Sequence, residues 1–554
     1  MKKRWVLWGM MPALISTLIL ALAAPGPVAA AGTGGRPALP LRSLRDVPRI
    51  VFPALDRDAL RLEDGLGRAE GGAQRFAIGQ DVALTPRNSG SWVTLDSGDR
   101  LWRLRLACPG ALSLNLGFTR YHLPDGAVLR CYAAHGQGPV LRFGSEDNRL
   151  SGQLWTPILE ADAVVVELQV PAVSTAKVDL LLGRVGCGYR PLGEDPADKS
   201  GSCNIDVVCP EGDAWRDEIP AIGMYSVNGT ERCSGVMVNN TAQDGRNLFL
   251  TANHCPVSAA NAPSVVVYWN FESPSCGEQG NGDTTRFTAG SSLLAAYGGS
   301  DFKLLELDES PDPAYGVTYL GWDRRDIVPA GGVAIHHPSV DEKSISFEED
   351  PLSVSSYLEE GGPGDGTHLR VDDWDLGTTE GGSSGSPLLD PATHRIVGQL
   401  HGGYAACGND ESDWFGRLRT SWEGGGTPET RLRDWLDPLG TGVEYLERLG
   451  YVSPEPEPEP GPLRMTFTSL GPNPFMEATT VTYTLNKGAA VRARIMNVHG
   501  RPVRDLGSLG GLTGQNPLIW DGLDDAGHPV PAGLYFFFLE SEGQELAVPV
   551  TRLR

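Results

Sequence analysis

Lysine is nearly absent from this sequence. Only Lys2, Lys3, Lys177, Lys199, Lys303, Lys343 and Lys487 occur in 554 residues, against 39 arginines. Basic charge as a whole is in deficit, with a net charge of −23 and a pI near 4.9. So acidic a chain lacks the basic surface that phosphate binding needs, which excludes nucleic acid as a partner. Long apolar runs are missing beyond about Ala24, so no membrane span is expected in the mature chain. There is no His-Glu-x-x-His spacing. The pair His336-His337, taken with His254, therefore reads poorly as a metal centre, and no metal is expected.

At 554 residues the chain is too long for one core, so several domains are expected. Lys2, Lys3 and Arg4, an apolar stretch to about Ala24, and small residues at Val28–Ala31 read as an export signal over 1–31. Export makes disulfides permissible. Nine cysteines are present, and the six between 203 and 407 allow fifteen pairings, among which spacing alone cannot choose. Cys108, Cys131 and Cys187 lie upstream, an odd number that leaves room for a free thiol.

Apolar runs such as Leu101–Leu106, Ala127–Tyr132 and Ala163–Leu168, with turn residues between them, predict a β-rich region over 32–199. Short β-type runs between Gly, Asp and Asn turns over 200–450 suit an all-β barrel or sandwich, with one helix over Glu429–Leu436. A Pro-Glu repeat at 454–460, within 451–462, reads as a semi-rigid linker. Residues 463–554 have the length and strand pattern of a β-sandwich.

Three segments in the 200–450 region carry chemistry: Thr251-Ala252-Asn253-His254-Cys255, Ser300-Asp301-Phe302, and Gly382-Ser383-Ser384-Gly385-Ser386-Pro387. His, Asp and Ser in that chain order are the parts of a serine-hydrolase triad. A serine hydroxyl needs a base in reach, and the base needs a carboxylate to fix its tautomer. Ser384 is the expected nucleophile, with Ser383 and Ser386 as local competitors. The N–H groups of Gly382 and Ser384 are the expected oxyanion donors, a contribution of about 3–4 kcal/mol per donor. This chemistry needs no cofactor.

These segments, together with Ser202–Gly212, Gly321–Asp326, Ile335–Pro338 and Gly398–Gly403, resemble bacterial lysyl endopeptidases of the Achromobacter protease I type. The resemblance covers about 200–450. It implies a secreted, trypsin-like double β-barrel that cuts protein or peptide substrates after lysine, with a triad of His254, Asp301 and Ser384. It also implies the disulfides Cys203–Cys407, Cys209–Cys276 and Cys233–Cys255.

Specificity for lysine needs a carboxylate at the pocket floor. The position six before the nucleophile, where trypsin carries its Asp, holds Thr378. The family's later Ser-Asp-x-aromatic-Gly-Arg stretch is matched by Ser412–Arg417, which makes Asp413 the expected substrate-binding acid. His401 matches a family His that stacks on a Trp beside the cleft. Glu359 and Glu360 stand at the corresponding place, and Tyr357 is the nearest aromatic.

The resemblance puts the start of the mature chain close to Ser200, directly after Lys199. Self-cleavage after Lys199 would release the upstream region as a propeptide. A lysine-specific protease with few lysines resists self-digestion. The tail motifs Asn473-Pro474-Phe475, Asn497–Val503, Trp520-Asp521-Gly522 and Gly533–Phe536 resemble the Ig-like module of the FlgD type, similar to type IX secretion sorting domains. That implies contact with secretion machinery or attachment to a cell surface. Rival readings are the same fold with Arg/Lys or broader preference, and a catalytically silent surface-binding protein. The complete His, Asp and Ser set argues against the latter.

Overall fold

A computed structural model describes residues 32–33, 44, 46–67, 73–174, 177–190, 201–278, 280, 282–450, 463–485, 489–511 and 514–553. The expected export signal, the stretch at 193–199 that contains Lys199, and the Pro-Glu linker lie outside the described residues. The fold is all-β. The chain divides into two compact units, 1–449 and 450–554.

The first unit begins with two sheets. In one, strand Ala163–Val170 pairs on its two sides with Val128–Ala133 and Arg100–Ala107. In the other, Asp179–Gly188 lies between Ser113–His122 and Ala77–Leu84. Period-two alternation turns Leu104, Leu106, Val164 and Val166 into a core with Leu116, Phe118, Leu182 and Val185. Each such side chain contributes about 1.5–3 kcal/mol on burial.

Two larger sheets follow. One has the order Phe287–Ala289, Val266–Trp269, Ile222–Val227, Glu231–Met237, Leu248–Ala252, Phe302–Leu307, Ser291–Tyr297. The other runs from Ile205–Asp206 through Gly332–His336, Pro387–Leu389, Ile396–Gly403 and Asp413–Arg417 to Ser353–Ser355. The helix expected over Glu429–Leu436 is not continuous. Thr427 and Thr430 close a 3-10 turn on each other, Arg431 is extended (φ −145°, ψ 157°), and one turn of helix, Arg433–Leu436, remains. Leu432 and Leu436 are still buried.

Nothing in the sequence indicated how intimately the N-terminal sheets join the rest. Strand Gln74–Arg75 adds to the edge of Glu231–Met237, with Gln74 opposite Arg232 and Arg75 opposite Glu231. Phe76 and Leu114 share one apolar cluster with Met224, Val266, Tyr268 and Phe287. Asn115 Nδ2 donates to the Gly229 carbonyl at 3.0 Å, and the Ile158 N–H donates to Tyr268 Oη at 3.1 Å.

The second unit is a sandwich. Met465–Gly471, Thr479–Leu485 and Gly514–Trp520 form one sheet, and Pro502–Gly511, Ala489–Asn497, Gly533–Ser541 and Gln544–Arg552 form the other. Val481, Tyr483, Leu485, Val491, Ile495, Trp520 and Phe537 fill the space between them.

Candidate active site

His254 follows the end of strand Leu248–Ala252, and Asp301 heads the neighbouring strand Phe302–Leu307. Asp301 adopts φ +53°, so its backbone carbonyl and its carboxylate both face the His254 loop. The carbonyl accepts from Asn253 N–H at 2.7 Å. Oδ1 accepts from the His254 backbone N–H at 2.9 Å, and Oδ2 lies 2.8 Å from His254 Nδ1. Burial pushes the Asp301 carboxyl up, and the His254 hydrogen bonds and Lys303 oppose that.

Two further features hold the loop. The Cys233–Cys255 disulfide fixes the residue after His254. Lys303 Nζ donates to the carbonyls of Asn253 (2.8 Å) and Cys255 (2.6 Å), the residues on either side of the histidine. Burial lowers the Lys303 amine to about 8, against the pull of Asp301. The role of Lys303 was not legible in the sequence, where it stands in an ordinary strand.

The serine loop turns at two positive-φ glycines, Gly382 (φ +98°) and Gly385 (φ +84°). A side chain at Gly382 would strike the Val340 backbone N–H, and one at Gly385 would strike Thr251 and Ala252. Ser234 braces the loop. Its N–H donates to the Ser384 carbonyl (2.9 Å) and its Oγ to the Gly382 carbonyl (2.9 Å). The N–H groups of Gly382 and Ser384 have no partner among the described residues. Ser383 is occupied by His336 Nδ1 at 2.8 Å, and Ser386 is fully buried. Ser384 makes no hydrogen bond to His254, whose Nε2 is without a partner among the described residues.

His336 and His337 do not gather around His254. His336 lies between Ser383 and Ser346, with burial pushing it down to about 3. His337 donates Nδ1–H to the Asp341 carbonyl at 2.9 Å. Ligand-type atoms of His254, Asp301 and His401 lie within 4.8 Å of one another, and that triple is accounted for by the hydrogen bonds and stacking described here.

His401 stacks on Tyr357, with ring centroids 3.5 Å apart and planes 6° from parallel, and on His254 at 5.6 Å. Tyr357 thus fills the place where the sequence offered no Trp. A hydrogen-bonded chain fixes the His401 tautomer. Thr367 Oγ1 donates to Asp365 (2.6 Å) and so accepts from His368 Nδ1–H (2.7 Å). His368 Nε2 then accepts from His401 Nδ1–H at 3.0 Å. That leaves His401 Nε2 as a lone pair, 3.8 Å from Asp301 Oδ2. The histidine therefore does not compete with His254 for the carboxylate. Burial, with His368 and His254 nearby, keeps it neutral by pushing it down to about 3.

Asp413 begins strand Asp413–Arg417, paired with Gly403 of the strand that braces the serine loop. It is 1% exposed. Its Oδ2 accepts from Thr379 Oγ1 (2.6 Å) and Trp374 Nε1 (2.8 Å), while Oδ1 has no partner among the described residues. Gly403 packs directly against it, since a side chain there would strike Asp413 Oδ1 and the Ser412 carbonyl. Burial pushes the carboxyl up to about 6, and the two donors oppose it. Thr378, at the trypsin position, bears only a hydroxyl bonded to the Thr379 carbonyl. Thr379 and Trp374 carried no sequence signal, since they act only through the folded position of Asp413.

Cys203–Cys407, Cys209–Cys276 and Cys233–Cys255 are bonded, and Cys108, Cys131 and Cys187 are all free and buried. The Cys108 thiol donates to the Pro53 carbonyl, with sulfur and oxygen 3.6 Å apart. The Gly201 N–H, two residues before the first disulfide, donates to Glu380 Oε1 at 3.1 Å, at the start of the serine loop.

Two protein-family models match this chain: "Lysyl endopeptidase, C-terminal domain" over residues 197–416, and "Lysyl endopeptidase N-terminal domain" over 51–186. A lysyl endopeptidase of Pseudomonas aeruginosa strain PAO1 is 30% identical over 355 residues, covering 58% of this chain and 74% of the relative. A crystal structure of Rv3671c from M. tuberculosis H37Rv, in an inactive form, aligns with 41% of this chain and 90% of its own at 16% identity, with a TM-score of 0.25. The first two findings place the chain among the peptidases. More particularly, it belongs to the lysyl endopeptidase family.

Proposed function

We propose that this chain is a secreted serine endopeptidase that hydrolyses peptide bonds on the carboxyl side of lysine. Ser384 attacks the carbonyl carbon, and His254 takes its proton. Asp301 holds the imidazole in the Nδ1–H tautomer and stabilises the imidazolium. The Gly382 and Ser384 N–H groups receive the oxyanion. The leaving amine takes the proton from His254, and water then hydrolyses the acyl-enzyme by the same route in reverse.

The observation that carries the lysine preference is the state of Asp413. One oxygen is occupied by Thr379 and Trp374, so Oδ1, beside Gly403, is the single acceptor left for a substrate cation. A single acceptor suits a compact ammonium, whereas a guanidinium prefers a two-oxygen fork. On this reading residues 32–199 are a propeptide released by a cut after Lys199. The sandwich over 463–554 serves in sorting or surface attachment. Ser384→Ala abolishes turnover of a lysyl ester on this mechanism, and turnover equal to wild type would refute it.

A further inference from the structure

The few lysines are not equivalent. Lys303 lies within strand Phe302–Leu307, 4% exposed, with its ammonium on two carbonyls. Lys343 is fully buried, and its ammonium is bonded to the Ile219 carbonyl and to Glu272, both at 2.9 Å. They are the only lysines between 200 and 450, and neither chain bond can enter a cleft without unfolding the sheets. Lys177 is the opposite. It is exposed, its ammonium has no partner among the described residues, and it lies in the connection between strands Ala163–Val170 and Asp179–Gly188. In the same connection Val173 is 89% exposed.

We propose that Lys177 is a second self-processing site, and that hydrolysis of the Lys177–Val178 bond dismantles the N-terminal region so that it leaves the peptidase sheets. This rests on the lysyl reading above. Water adds across the bond, leaving a carboxylate on Lys177 and a new amino group on Val178. With the cut after Lys199, it frees a 22-residue segment, 178–199. That segment holds the strand between Ser113–His122 and Ala77–Leu84, so its departure leaves Ala77–Leu84 unpaired and Ser113–His122 paired only with the short strand Leu154–Trp155.

The same segment secures the junction with the peptidase sheets. The Tyr189 and Arg190 N–H groups donate to the Phe76 carbonyl, at 3.0 and 3.3 Å. Tyr189 Oη and Arg190 both donate to Asp64, which also holds Arg75. Gln74–Phe76 is thereby fixed against Glu231 and Arg232. The Gly186 backbone abuts the Gly229 carbonyl directly. A single cut after Lys199 leaves all of these contacts in place. The second cut makes their loss possible, because the strand is then held by no covalent bond.

The test uses the full-length Ser384→Ala chain with a trace of processed wild-type enzyme, followed by mass spectrometry and size exclusion. The expected result is a peptide of residues 178–199 and separation of the remaining N-terminal fragment from the peptidase. Adding Lys177→Arg confines cutting to Lys199 and leaves the fragments eluting together. Wild-type enzyme carrying Lys177→Arg alone turns over a lysyl ester normally once processed, which confirms that it folds. Equally fast separation with Lys177→Arg, or separation with the Lys177–Val178 bond intact, overturns the proposal. A peptide-library digest run alongside distinguishes the failures. Lysine preference with Lys177 uncut defeats this inference alone, and no lysine preference defeats the functional reading as well.

Discussion

Tyr357 lies face to face with His401, ring centroids 3.5 Å apart, and His401 lies in turn over His254. The tyrosine holds one side of the imidazole that borders the Asp301 carboxylate. Removing that face loosens His401 and the cleft wall. An aromatic stack is worth about 0.5–1.5 kcal/mol. Tyr357→Ala should lower kcat/KM for lysyl esters by about 2- to 13-fold, and Tyr357→Trp should largely restore it. Steady-state kinetics of the two variants check this.

Asp413 sets a pH dependence of its own. Its carboxyl is pushed up to about 6 by burial, so it is charged above that pH and neutral below it. Preference for lysine over an uncharged P1 residue is therefore present above pH 6 and falls as the pH drops through 6. The ratio of kcat/KM for the two substrates isolates this, because His254 affects both alike. Asp413→Asn should cost the lysyl substrate about 2–5 kcal/mol, the range for breaking a buried charge pair, and flatten the ratio across pH.

Lys303 bridges the two carbonyls beside His254. Lys303→Met removes the donor from the Asn253 carbonyl and leaves the Cys255 carbonyl with the Val257 N–H alone, at a cost of about 1–3 kcal/mol of stability. The expected kinetic signature is a lower kcat with KM little changed, because the altered part is the base and not the Asp413 pocket. A denaturant titration and a KM-against-kcat comparison measure the two effects.

Arg232 is fully buried under Phe76, its guanidinium 3.5 Å from the ring centroid, and none of its three nitrogens has a hydrogen-bond partner among the described residues. Burial lowers it to about 10. An unsatisfied buried charge destabilises the junction between the N-terminal region and the peptidase sheets. In the Ser384→Ala chain, Arg232→Met should raise stability by about 1–3 kcal/mol. In the processing-competent chain it should slow loss of the N-terminal fragment. Thermal melting and size exclusion report the two outcomes.

The strands were legible because period-two alternation decides which face is buried: Leu101–Leu106, Ala163–Leu168 and Thr480–Leu485 all sit within observed strands. Asp301 and His254 were legible because each sits at a strand end in a distinctive local setting. Contacts between distant segments were not. Tyr357 reaches His401 only through the loop before His368–Val371, and Trp374 reaches Asp413 from across the strand pairing. Gln74–Arg75 is too short to show periodicity, so its place on the edge of Glu231–Met237 had no local signal. Over Glu429–Leu436 the helical spacing of apolar residues was real, but the Thr427–Thr430 turn broke the backbone before a helix could run through it.

The central claim is hydrolysis after lysine, directed by Asp413. A digest of a mixed peptide library by the processed enzyme, read by mass spectrometry, tests it most directly. New carboxyl termini at lysine, absent from the Ser384→Ala control, are the predicted result. Cleavage after arginine as readily as after lysine would contradict it.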